Sequence, residues 1–112
     1  MKSMQFFSFL AVVLVSLFCV SVSAAEVSLF DGKTLDGWKG KAGLWSVKDG
    51  AIVGSTGAKG IRSNTFLVSE KSYSNYILKL KFRFNGQGNS GIQFRSKLAG
   101  KPGDYVISGY QA

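Results

Sequence analysis

The sequence predicts an all-β chain, a β-sandwich preceded by a short export helix. Helical periodicity is absent after residue 26, apolar residues alternate with charged ones at strand spacing, and glycine-rich turns recur about every eight to twelve residues.

The leader comes first. Met1-Lys2 gives a positive start, Phe6 to Val22 is almost continuously apolar, and Val22-Ser23-Ala24-Ala25 offers the small residues that signal peptidase needs. Residues 1–24 are read as a secretory signal peptide, removed after Ala24 or Ala25. An uncleaved anchor is the alternative, but the apolar run sits at the lower limit for spanning a bilayer. No stable membrane anchor is expected after cleavage, and the mature chain is expected in the periplasm or outside the cell. A lipid anchor at Cys19 is disfavoured by Phe18, which is bulky where lipid modification needs a small residue.

Composition then removes several chemistries. Cys19 is the single cysteine and leaves with the leader, and there is no histidine. Within these residues a disulfide, a thiol nucleophile, a zinc site and a Ser-His-Asp triad are excluded. The formal net charge is +8, which could suit nucleic acid. The lysines, however, are scattered singly from Lys33 to Lys101, as on a solvated basic exterior, and no nucleic-acid partner is expected.

After residue 25 the elements follow in order. Ser28-Leu29-Phe30 is a short apolar start, and "DGKTLDGW" is turn chemistry around Leu35 and Trp38. In "LWSVKDGAIVG", two strands flank Asp49-Gly50, a pair suited to the positive φ angles of a type I′ turn. "STGAKG" is a loop and "NTFLVS" a strand. The clearest strand is "YILKLKFRF", with Tyr76, Leu78, Leu80, Phe82 and Phe84 on one face and Ile77, Lys79, Lys81 and Arg83 on the other. The first face is expected buried and the second wet. "NGQGN", the strand "SGIQFRS", the loop "KLAGKPGD" and the strand "YVISGYQ" complete the chain as one small domain.

"GQGNSGIQFRS" holds the candidate site. Alternation sets Ile92 and Phe94 inward and presents Gln93 and Arg95 together on an open face. Asn89-Ser90-Gly91 would allow a bulge or a left-handed residue that re-aims the strand. Arg95 carries a planar fork of donors for a carbonyl, enolate or ring oxygen, and the Asn89 amide could bond to hydroxyls. The same residues also fit a plain hairpin with Arg95 on an ordinary wet face, and local spacing leaves both readings open.

"SLFDGKTLDGW", "W.V.DGAIVG", "FRFNGQGNSGIQFRS" and "GYQ", in that order, resemble the 3-keto-disaccharide hydrolase family, found in exported bacterial proteins. The likeness covers Val27 to Ala112. It implies a concanavalin-A-like jelly roll, of which residues 25–112 would be the N-terminal part and incomplete alone. It also implies action on glycosides or disaccharides oxidised at C3, by hydrolysis or by 1,2-elimination and hydration. On that reading Arg95 is the catalytic oxyanion or substrate clamp, Asn89 and Gln93 read hydroxyls, and Tyr110 and Gln111 bind substrate from the other motif strand. The family commonly has an acid after the tyrosine where this chain has Gln111, so no base or metal ligand is carried over to that position. No cofactor is assigned; a divalent metal would find its ligands mostly beyond residue 112. The alternatives are a non-catalytic carbohydrate-binding sandwich, for which Trp38, Trp45 and Tyr105 could stack on sugar rings, and a structural or adhesion module. Core packing is the expected fate of both tryptophans.

Overall fold

The computed structural model describes residues 25–86 and 88–112; the leader read from residues 1–24 lies outside them. The described part has no helix and six strands: β1 (Trp38–Lys39), β2 (Trp45–Lys48), β3 (Ala51–Gly54), β4 (Val68–Ser69), β5 (Gln93–Leu98) and β6 (Ile107–Gln111). They form three antiparallel ladders, β1 with β4, β2 with β3 and β5 with β6.

The β2–β3 hairpin forms where its turn residues require it. Asp49 (φ 51°) and Gly50 (φ 72°) both take the left-handed backbone of a type I′ turn, and Lys48 then faces Ala51. At its open end Trp45 lies across from Gly54, and its ring is held between two glycines. A methyl on Gly54 would stand 2.7 Å from Trp45 Cζ3, and one on Gly40 would stand 2.7 Å from Cδ1. Trp45 is thus clamped between two glycines but only half-buried, short of the core packing expected of it.

The "DGKTLDGW" turn is built by one carboxylate. Asp31 Oδ1 accepts the backbone N–H groups of Lys33 (2.8 Å) and Thr34 (2.7 Å), and Oδ2 accepts the Thr34 hydroxyl (2.9 Å). These donors, Thr34 N–H foremost, hold the Asp31 carboxyl below its ordinary value. The turn delivers Trp38 into β1, and its indole N–H donates to Leu29 C=O at 2.8 Å. That short ladder was not legible within the turn. Lys39 on β1 pairs with Glu70 at 3.0 Å, which raises the ammonium pKa. The pair is exposed, so it marks register more than it stabilises.

The "NTFLVS" strand is shortened to Val68–Ser69. Its first residues attach to the 99–106 loop: Phe66 N–H donates to Tyr105 C=O (3.0 Å) and Thr65 Oγ1 to Asp104 C=O (2.8 Å). Tyr105 itself has φ 51°, so β6 starts only at Ile107.

Tyr76–Phe84 departs most from expectation. It joins no ladder among the described residues, and its apolar face is open, with Leu78 40 % and Phe82 77 % exposed. Ser28–Phe30 likewise forms no strand. The reason is that alternation specifies a face but not a partner, and backbone groups without a ladder partner stay with water. No described residue is fully buried. Among the described residues no helix is long and apolar enough to cross a membrane.

Candidate functional site

Gln93, Arg95, Tyr110 and Gln111 of the sequence-predicted residues lie on the β5–β6 ladder, and Asn89 precedes it. Ile92 and Ala112 exchange both backbone hydrogen bonds at 2.9 Å, then Gln93 faces Gln111 and Phe94 faces Tyr110. Gln93 Nε2 donates to Gln111 Oε1 at 2.6 Å, and the rings of Phe94 and Tyr110 stack with centroids 5.8 Å apart. Both contacts are the direct cross-strand pairs that set the stability of an antiparallel ribbon.

Beyond Phe94 the register shifts. Lys97 faces Ser108, so Arg95 and Ser96 together oppose Gly109: a β-bulge. Arg95 carries the extra turn with φ 48°, a left-handed value that a side chain of its size rarely adopts. The bulged strand approaches its partner so closely that a methyl on Gly109 would stand 2.6 Å from Ser96 Cα. Only glycine fits there. Ser96 Oγ closes the bulge by donating to Phe94 C=O at 2.8 Å.

The bulge corrects two expectations. It falls at Arg95–Ser96 instead of Asn89–Gly91, where no backbone is left-handed. It also separates Gln93 from Arg95, because one inserted residue reverses the alternation beyond it. Ser96, with Oγ 3.5 Å from Gln93 Oε1, continues the glutamine face. Arg95 instead lines an open cleft of about 690 Å³ on the side of Ile92 and Phe94.

The opposite wall of this cleft is Tyr73–Leu80. Tyr73 and Tyr76 meet edge to face at 6.4 Å, and Asn75 between them turns with φ 52°. This aromatic wall is not legible in the sequence: Tyr73 carries no motif, and alternation places Tyr76 on the face expected buried. Its signal was Tyr-Ser-Asn-Tyr, two aromatics flanking a residue that tolerates left-handed backbone. Asn89 is exposed in the segment leading to β5, and Tyr110 is exposed beside Phe94. The cleft thus joins one guanidinium, an amide and two phenols to apolar walls. It can bind a ring-shaped polar molecule by stacking and by donating to an oxygen. Among the described residues no three His, Cys, Asp or Glu side chains gather to hold a metal.

A family model described as the 3-keto-alpha-glucoside-1,2-lyase-like domain matches residues 25–112. The chain belongs to this family. The match spans the whole segment carrying the ladders, the bulge and the cleft, and it is the family whose motifs the sequence resembles. Membership suggests a carbohydrate-active domain directed at 3-keto-glycosides, with a glycoside as substrate. No curated protein and no solved structure matches the chain.

Proposed function

We propose that the domain to which residues 25–112 belong is an exported jelly-roll enzyme that cleaves 3-keto-glycosides by elimination across C1–C2 and hydration. A ketone at C3 acidifies the C2 proton. A base removes that proton, the electron pair becomes the enolate, and the enolate expels the C1 oxygen substituent, which leaves as an alcohol on protonation. Water added across the C1–C2 double bond makes the overall change a hydrolysis. What this requires from Arg95 is a donor at the oxygen where charge develops. Tyr110, stacked on Phe94 at the cleft side of the ladder, would bind sugar hydroxyls, and Tyr73 and Tyr76 would stack on the ring; Asn89 and the Gln93–Gln111 pair do not line this cleft and are given no contact with the sugar.

The observation that carries the reading is Arg95 itself. A left-handed arginine on a bulge that demands Gly109 opposite it is held in a costly conformation, and it stands exposed at the border of the open cleft. The aromatic wall of Tyr73 and Tyr76, which can hold a sugar ring without chemistry, also fits a second reading, a carbohydrate-binding module without turnover.

Turnover separates the two. In the full-length protein, Arg95→Ala should slow cleavage of a 3-keto-glycoside about a hundredfold, the cost of about 3 kcal/mol for one lost oxyanion donor. The unoxidised glycoside should not react, because its C2 proton is not acidic; equal rates on both would reject the ketone mechanism. Binding of the 3-keto-glycoside without turnover would establish the module. Export has its own check: mass spectrometry of the mature protein should find an N-terminus at Ala25 or Glu26, and a species retaining Met1 would overturn it.

A further inference from the structure

Of the four described non-glycine residues with left-handed backbone, two line the cleft, Asn75 (φ 52°) on one wall and Arg95 (φ 48°) on the other. Such residues gather where side chains must be aimed, because each holds a conformation that its surroundings have to offset. Arg95 is aimed by its bulge. Asn75 sits at a bend between Tyr73 and Tyr76, and that bend decides where Tyr73 goes.

Tyr76, Leu78 and Leu80 line the cleft while Ile77 and Lys79 do not, the alternation of an extended chain. Tyr73 lies three residues before Tyr76, an odd spacing that would send the two side chains to opposite faces of an unbroken extended chain. Yet Tyr73 lines the same cleft, and its ring meets that of Tyr76 edge to face at 6.4 Å. The left-handed residue between them breaks the alternation and brings both rings to one side. Asparagine suits this position because it enters left-handed backbone more readily than most residues, whereas a β-branched residue is all but barred from it. We propose, on the reading of this cleft as a glycoside site, that Asn75 is a positioning residue. Its backbone sets Tyr73 beside Tyr76, so that the two phenols make one wall for a sugar ring. The Asn75 amide itself need not touch the sugar, and glycine should therefore replace it.

The test uses the full-length protein, with methyl 3-keto-α-glucoside as the probe and affinity read as KM, or as Kd where the probe binds without turnover. Asn75→Gly keeps access to the left-handed backbone and should leave affinity within about twofold of wild type. Asn75→Val cannot hold that backbone and should weaken affinity about tenfold, with any kcat nearly unchanged. Nuclear Overhauser contacts between the Tyr73 and Tyr76 rings should persist in Asn75→Gly and vanish in Asn75→Val. Hydrogen exchange of the β5–β6 amides should match wild type in both; if valine disturbs them, Asn75→Ala makes the same comparison. Tyr73→Ala should weaken binding alone but add little to Asn75→Val, because the bend acts through that ring. An Asn75→Gly variant as weak as Asn75→Val would assign the effect to the amide and overturn the proposal. So would ring contacts or affinity unchanged in Asn75→Val, or effects of the two substitutions that simply multiply. A wild-type protein that neither binds nor cleaves the probe would overturn the glycoside reading and this inference together. A wild type that binds it, with Asn75→Val equally tight, would overturn the role of Asn75 alone.

Discussion

The cleft has two walls built on opposite terms. On one side the β5–β6 ribbon is over-determined: a backbone ladder, a glutamine pair, a stacked ring pair, and a bulge that tolerates only glycine opposite it. On the other side the wall Tyr73–Leu80 runs into Tyr76–Phe84, which carries the most regular alternation in the chain and yet pairs with nothing among the described residues. Regularity of pattern and strength of structure are therefore separate properties. Alternation states which side chains share a face; only complementary residues elsewhere in the chain make that face a layer.

The sharpest way to break this contrast is at Gly109. Gly109→Ala puts a methyl within 2.6 Å of Ser96 Cα, so the bulge must open or the ladder must re-register. We expect the ribbon to lose about 1–3 kcal/mol, the usual range for forced overpacking. Hydrogen exchange of the β5 and β6 amides should accelerate, and Arg95 should lose its place beside Phe94. Unchanged exchange would mean that the bulge is not the strained feature described here.

The unpaired run that continues the other wall should respond far less. Phe82 is 77 % exposed, so Phe82→Ser should change stability by no more than about 0.5 kcal/mol. Chemical denaturation measures this directly. A loss of several kcal/mol would show Phe82 buried in the folded protein and would make the two walls alike.

The same division explains what could be read from the sequence. The β2–β3 hairpin was fully legible, because Asp49-Gly50 encodes its turn with neighbouring residues alone. The two motif strands themselves were legible, and the resemblance grouped Gln93, Tyr110 and Gln111, but that the strands pair is a finding of the structure. The bulge was not legible: it depends on Gly109 lying across from Arg95–Ser96, a relation between residues far apart in the chain. Missing it put Arg95 on the wrong face. The β1–β4 ladder was hidden for a similar reason, since Trp38–Lys39 pairs with residues some thirty positions on and sits inside a turn motif.

Asp31 gives the limiting case of a structure encoded by its own neighbours, and the smallest effect. Three donors from Lys33 and Thr34 stabilise the ionised carboxylate, so its pKa in the folded chain lies below the ordinary 3.8. The sign follows from linkage. A depressed carboxyl pKa contributes stability that is present above pH 3.8 and is lost as pH falls through the lower folded value. Because the group is fully exposed, the contribution is small. NMR titration should show the Asp31 carboxyl ionising below 3.8, with the Lys33 and Thr34 amide shifts following the same midpoint. The β5–β6 amides, whose ladder contains no carboxylate, should not move with it. A midpoint at or above 3.8 would remove the turn from the list of structures formed by sequence neighbours alone. Movement of the β5–β6 amides with Asp31 would show instead that the turn and the ribbon form as one unit.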